Sequence, residues 1–215
     1  VLEKIKGIDC CIIGEGEYTC LELIKTIENG SSWNAINSVA YLKDGKPHIN
    51  PMREPLKDLD RLPYPKRVVL NKMFVPISTS RGCYGRCNYC GVNEFYEKCN
   101  IGSMRFRNPE NVINEIEQIL SKNSIDVFLI SDETFFSASK NRKIWLEQFY
   151  TLLKDKKLNI KFQALARAND LISNEEIIVR MKDVGLINVF IGVESFVQRQ
   201  LDFYNKRTIV EQNVR

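Results

Sequence analysis

Three cysteines fall within eight residues of the run Arg81-Gly82-Cys83-Tyr84-Gly85-Arg86-Cys87-Asn88-Tyr89-Cys90-Gly91. The spacing is C-x-x-x-C-x-x-C, in a stretch rich in glycine and arginine. Thiolates are soft ligands that select zinc, copper(I) or iron–sulfur clusters. A structural zinc site closes its tetrahedron with a fourth protein ligand, and this run supplies three. A cubane cluster held by three cysteines keeps one iron without a protein ligand, where a small molecule can bind. That arrangement suits catalysis better than storage or electron transfer. A zinc knuckle and incidental buried thiols are the alternatives. Cys99, nine residues after Cys90, is an alternative fourth ligand.

The 215 residues suit one large domain, or a domain and part of another. A net charge of +4 is mild, and 31 Lys and Arg are interleaved with 27 Asp and Glu, so no basic stripe for nucleic acid stands out. Two short basic clusters, Lys66-Arg67 and Lys140 to Lys143, read as solvated faces. Apolar content of 44% and charged content of 27% are those of a soluble globular chain. No run approaches the roughly 18 apolar residues of a membrane span, and the start carries no signal-peptide pattern. Seven cysteines, an odd number with three clustered, argue against a disulfide framework and for a reducing cytoplasm. His48, the sole histidine, reads as a surface or turn residue. The chain starts at Val1 without Met and ends as a new helix begins, which reads as a piece of a longer protein.

The elements that must hold the cysteines follow from the apolar pattern. Phe74 to Thr79, Asp126 to Ile130, Asn159 to Ala166 and Asn188 to Val193 read as strands. Pro76 lacks an N–H, so the first strand is expected at a sheet edge or ladder gap. Asn108-Pro109-Glu110 starts a helix, with Asn as cap and an acid near its positive end. Lys140 to Lys154 is the next helix, and Ser173-x-x-Glu176 is a capping box opening another that runs to Gly185. Residues 196–204 form a short helix, and Thr208 starts a further segment. Such alternation implies a parallel sheet, with the chemistry at the carboxyl ends of its strands. The cysteine loop follows the first strand and Asp132-Glu133 the second. Arg167 follows the third, and Glu194-Ser195 the fourth. An acidic pair suits a ligand ammonium in a partly dry site, and an arginine fork suits a carboxylate. Plain solvated loops are the alternative for each.

Upstream, Gly7 to Ile13 reads as a buried strand, and Thr19 to Glu28 as a helix stopped by Asn29-Gly30. The turn between them, Gly14-Glu15-Gly16-Glu17, is not a phosphate loop, because two glutamates would repel the anion. Val39 to Leu42 is a short strand, and Lys43-Asp44-Gly45-Lys46 a hairpin turn. Five prolines from Pro47 to Pro65 make a stiff extended connector.

At these residues the chain resembles the radical S-adenosylmethionine enzymes, whose signature is C-x-x-x-C-x-aromatic-C, with Tyr89 at the aromatic position. Leu59-Asp60-Arg61-Leu62-Pro63-Tyr64-Pro65 resembles the linker before their catalytic barrel. Ile12-Ile13-Gly14-Glu15-Gly16-Glu17 resembles the last βα unit of the cobalamin-binding domain in one branch. Ser131-Asp132-Glu133-Thr134-Phe135 departs from the family's Gly-Gly-Glu segment and matches the form usual in that branch. The resemblance implies an α/β fold, a partial (βα)6 barrel of about four βα units over residues 74–215. Before it would lie a Pro-rich connector at 31–73 and the C-terminal remnant of a Rossmann-like domain at 1–30. It implies a [4Fe-4S] cluster on Cys83, Cys87 and Cys90. It also implies S-adenosylmethionine bordered by Tyr89, with Asp132 and Glu133 at its amino group and Arg167 at its carboxylate. Glu194 and Ser195 would meet its ribose, with Lys206 at the site edge.

Reductive cleavage of that cofactor would yield a 5′-deoxyadenosyl radical that takes a hydrogen atom from a small-molecule substrate. An external donor such as flavodoxin or ferredoxin would supply the electron. Methyl transfer from methylcobalamin is the outcome implied for the cobalamin-linked branch. A radical enzyme without cobalamin, methylthiotransferase-like or a cyclase, is the alternative. The cobalamin motif Asp-x-His-x-x-Gly is not in this sequence, so no residue is assigned to cobalamin, whose site would lie largely upstream. No catalytic side chain is assigned, and neither nucleic acid nor membrane is expected as a partner. A zinc-stabilised binding module is the rival from another class.

Overall fold

A computed structural model describes residues 2–67, 74–99, 101, 104–122 and 125–215. The expected end of the connector at residue 73 lies outside them. The chain forms two compact units: the described residues of 1–57 and 94–102, and those of 58–93 and 103–215.

In the first unit, β1 (Cys10–Ile12) leads to α1 (Glu17–Glu28), then to β2 (Val39–Lys43) and β3 (Lys46–Ile49). The sheet order is β1-β2-β3, with both pairs antiparallel. Asp44 and Gly45 take positive φ angles of 51° and 74°, as a two-residue type I′ turn requires. The first strand was expected to be buried in a Rossmann-like unit. It is half-buried, and among the described residues its one strand partner is the antiparallel β2. On α1, Leu21, Ile24 and Ile27 are about half exposed, so the apolar face read from the sequence is uncovered in this unit.

The second unit opens with a 3-10 turn at Leu59–Arg61, capped by the Asp58 carboxylate, which accepts from Asp60 N–H. Then come β4 (Val75–Ile77) and β5 (Ser80–Arg81), the start of α2 (Gly91–Lys98), whose residues from Glu94 on belong to the first unit, and then β6 (Arg105–Phe106) and α3 (Pro109–Lys122). β7 (Val127–Ile130), α4 (Lys140–Asp155) and β8 (Lys161–Arg167) follow. α5 (Ala168–Ser173), α6 (Glu175–Met181), β9 (Leu186–Gly192), α7 (Gln198–Phe203) and α8 (Val210–Val214) complete it. The main sheet has the order β4-β7-β8-β9, and all its pairs are parallel. These are the four βα units expected, with Pro76 on what is, among the described residues, an edge strand, where its missing donor is tolerated.

The core lies between this sheet and the helices α3, α4 and α6. Val112, Ile113 and Ile116 of α3, with Trp145, Leu146, Phe149 and Leu153 of α4, pack against Ile77, Phe128, Ile130 and Phe162. Fully burying one such side chain contributes about 1.5–3 kcal/mol. Phe149 stacks on Trp145 at 5.0 Å and meets Phe162 edge-on at 6.1 Å. The Asn108 cap is present, its Oδ1 accepting from Glu110 N–H at 2.9 Å. The Ser173 capping box is not. Residues 168–173 are already helical, so the Ser173 hydroxyl turns back to donate to Asn169 O at 3.0 Å, and α6 starts after Asn174 instead. Among the described residues no helix is long and apolar enough to cross a membrane.

Neither basic cluster is simply a solvated face. Arg67 pairs with the buried Glu115 at 2.7 Å. Arg142 has no exposed surface at all. Arg142 stands three, four and seven residues before Trp145, Leu146 and Phe149, so the helical period that buries those three buries the arginine too.

Candidate functional site

The carboxyl ends of β4 and β7 are joined by one acid. Asp132 is 1% exposed, and its carboxylate accepts from Thr79 N–H at 2.6 Å, Ser80 N–H at 3.0 Å and both of those hydroxyls. Arg142 Nη2 donates to it at 3.2 Å. Arg142 is itself held over the Trp145, Phe135 and Phe106 rings at 4.2, 4.6 and 5.1 Å, and its Nε donates to Phe135 O. Burial pulls its pKa down to about 10 against the pull of Asp132, which leaves the guanidinium charged at neutral pH. Asp132 was expected at a ligand ammonium. With five donors around it, it instead fixes the residues that lead into the cysteine loop. Its neighbour Glu133, partly exposed, accepts from Gly82 N–H at 3.2 Å.

The cysteine loop lies against the segment after β9. Asn88 N–H donates to Tyr204 O at 2.9 Å, and Asn88 Nδ2 to Phe203 O at 2.9 Å. Asn205 Nδ2 donates back to Arg86 O at 2.7 Å. The Tyr89 and Tyr204 rings meet edge to face at 5.4 Å. Cys87 is buried, and Cys83 and Cys90 are half-buried. Cys83 Sγ accepts from Gly85 N–H at 3.3 Å. Burial pushes the Cys83 thiol up, opposed by that N–H and by the Arg167 guanidinium.

Arg167, at the end of β8, sits behind the loop. Its Nη1 donates to Cys87 Sγ at 3.5 Å, its Nη2 to Lys206 O, and its guanidinium lies 5.2 Å from the Tyr84 ring. A Cβ at position 85 would fall 2.5 Å from Arg167 Nη1, so only glycine lets the loop pass the arginine this closely. The Tyr84 hydroxyl donates to Asp170 Oδ1 at 2.6 Å. Burial raises the Asp170 pKa in spite of Tyr84, Arg167, the Ala138 N–H and Thr134.

Beyond β9, Glu194 takes a φ of 66°, a conformation a β-carbon disfavours and one that clusters at functional sites. Lys206 Nζ pairs with its Oε1 at 2.9 Å. Burial opposes the Glu194 charge, yet Lys206, the Tyr89 hydroxyl and Arg167 hold its pKa below the usual carboxylate range. The Ser195 hydroxyl donates to Gln200 Oε1 and accepts from Val197 N–H at 3.0 Å, closing the turn into α7.

The fold therefore brings Cys83, Cys87, Tyr89, Arg167, Glu194 and Lys206 together. Asp132 lies one layer below, and Ser195 is turned to its own loop. Sequence reasoning missed Arg142, the Tyr84–Asp170 contact and the asparagine clasp. Only Arg142 left a signal, its helical spacing. Cys99 lies in the other unit, its Sγ 3.2 Å from where a Cβ on Gly14 would be.

Among the described residues no group of three His, Cys, Asp or Glu side chains is arranged to hold a single metal ion. A zinc ion needs its sulfurs about 2.3 Å from one centre, whereas each cysteine of a cubane binds a different iron. Three soft donors, with the Gly85 N–H turned to the Cys83 sulfur and the Arg167 guanidinium to that of Cys87, fit such a cluster, whose potential is tuned by hydrogen bonds of this kind.

A family model described as the Radical SAM superfamily matches residues 77–215. The chain is 30% identical, over its whole length and 40% of the relative's, to the anaerobic magnesium-protoporphyrin IX monomethyl ester cyclase of Rubrivivax gelatinosus. It is 24% identical to the hopanoid C-3 methylase of Methylococcus capsulatus, over 96% of this chain and 39% of that one. Among solved structures it is similar to the cobalamin-dependent S-adenosylmethionine radical enzyme OxsB with aqua-cobalamin and S-adenosylmethionine bound. The TM-score is 0.80 at 25% identity, over 94% of this chain and 30% of that one. The chain spans about two fifths of the length of these curated relatives.

Proposed function

The chain belongs to the radical SAM superfamily, and on that premise we propose that it is the cluster- and cofactor-binding part of an enzyme that cleaves S-adenosylmethionine reductively. Cys83, Cys87 and Cys90 hold a [4Fe-4S] cluster in this reading. Bound there, such a cluster would supply the electron, passed on from an external donor, that reductive cleavage of S-adenosylmethionine requires. The protein's own part is orientation and electrostatics. Arg167 offsets negative charge at Cys87, Glu133 and Glu194 offer carboxylates at two strand ends, and Tyr89 borders the cofactor. Asp132 and Arg142 keep the loop in register from below. The observation that carries the reading is the contact of the Arg167 guanidinium, from the third strand, with the Cys87 sulfur of the loop after the first. A cation beside a sulfur suits a cluster of net negative charge.

The full enzyme acts on a small-molecule substrate in the cytoplasm, with an external electron donor such as flavodoxin or ferredoxin. A cobalamin-dependent methyltransferase-type reaction is the preferred outcome, supported by the likeness to OxsB and to the hopanoid methylase. A reaction without cobalamin is the second reading, and the likeness to the cyclase is compatible with it. The test is anaerobic reconstitution with iron and sulfide, then iron analysis and EPR of the reduced protein. About four irons per chain, and a signal that shifts on adding S-adenosylmethionine, are expected. Zinc or no metal, with Cys83→Ala changing nothing, would overturn the reading in favour of a binding module.

A further inference from the structure

We infer that the cleft between the Pro-rich segment and β4 binds an amphiphilic organic anion, with a carboxylate or phosphate head and an apolar body. The cleft encloses about 370 Å³. An adjoining one of about 250 Å³ shares Tyr64, Pro65, Arg67 and Glu115 with it. Together they are lined by Lys66, Arg67, Arg81, Arg107 and Lys122, against one acid, Glu115. Even with Arg81 set aside, four cations face one carboxylate.

That carboxylate is already shared. Arg67 Nη2 lies 2.7 Å from Glu115 Oε1, and Arg107 Nη1 lies 2.6 Å from Oε2, with the acid side chain 2% exposed. Two guanidiniums on one buried acid leave a net positive charge in a partly dry place, where its field on an anion is strongest. Arg107 is held by Ser78 O and by Asn111, and Arg67 by Pro76 O. Both charges are therefore fixed in position before any ligand arrives. Holding Pro76 O also gives β4 a side-chain partner.

The rest of the larger cleft is apolar: Leu59, Leu62, Pro63, Tyr64 and Pro76 line it. A simple inorganic anion would leave this surface wet, and a neutral apolar ligand would leave the charges uncompensated. Ser78 and Ser131, at the carboxyl ends of β4 and β7, line the same cleft. A ligand seated there lies at the end of the sheet that carries the cysteine loop. No thiol lines either cleft, so the inference stands apart from the cluster reading.

The test is calorimetric titration of the full chain at low salt with octanoate, octyl phosphate, 1-octanol and inorganic phosphate. Octanoate or octyl phosphate should bind at least about tenfold tighter than octanol or phosphate, and the tighter of the two identifies the head. Added salt should weaken it, since the lysines are exposed. Arg67→Gln should weaken binding on the order of tenfold. Glu115→Gln, which removes the acid, should tighten it. The double variant Lys66→Ala/Lys122→Ala changes two exposed side chains, so it reports on binding without disturbing the core, and it should weaken binding several-fold. Octanol binding as well as both anions would overturn the inference. So would an affinity that neither the double lysine variant nor Arg67→Gln alters.

Discussion

Arg142 Nη2 lies 3.2 Å from Asp132 Oδ2, and neither side chain has any exposed surface. Removing one member of a buried pair leaves the other charge uncompensated, at a cost of about 3–5 kcal/mol. Asp132→Asn should lower the urea midpoint accordingly and reduce iron uptake, because the amide keeps one acceptor oxygen for five donors and turns an NH2 donor towards the rest. An unchanged midpoint would show the network to be incidental.

Gly85→Ala places a methyl group 2.5 Å from Arg167 Nη1. The arginine must move, and its contacts with Cys87 and Lys206 go with it. We expect near-native far-UV circular dichroism with iron incorporation reduced severalfold. Full iron loading in this variant would contradict a role for Arg167 in holding the loop.

Glu194→Gln removes the charge that Lys206 pairs with at 2.9 Å. A charge-assisted hydrogen bond is worth about 1.5–3 kcal/mol, so affinity for S-adenosylmethionine should fall at least about tenfold. Iron content should stay the same. The EPR shift on adding cofactor, titrated against its concentration, separates the two effects.

Burial raises the Asp170 pKa above its ordinary value of 3.8. The folded state then holds this proton more tightly than the unfolded chain does. Its contribution to stability is full below the unfolded pKa and is lost as pH rises through the folded one. Asp170→Asn should remove that part of the slope. Urea midpoints of the two proteins from about pH 3 to 7 should converge or cross rather than run parallel.

Cys99→Ala should leave iron content unchanged while lowering stability modestly, since Cys99 is 3% exposed and packs beside Gly14 in the first unit. Loss of one iron per chain would instead make Cys99 a ligand.

What could be read from sequence was local. The Asp44-Gly45 turn, the Asn108 cap and the edge position of Pro76 each depend on a few neighbouring residues, and each is in the structure. The four strands were legible because β-branched and aromatic residues recur in short runs between helical periods. Arg142 was misread because charge was weighed ahead of its place on the helix face. Ser173 was misread because S-x-x-E says nothing about the helix that already occupies the residues before it. The role of Asp132 was out of reach, since its five partners lie on segments 10 to more than 50 residues away. The Glu115 pairs depend in the same way on long-range packing.

The asparagine clasp spans a long stretch of chain. Asn88 reaches Phe203 across 115 positions, and Asn205 reaches Arg86 across 119. A ribosome adding about 5–20 residues per second needs roughly 6–23 s to make that interval. During that time the three thiols have left the tunnel without their partner segment. Until residues 203–205 have been made, the cysteine loop therefore stands without the segment that clasps it.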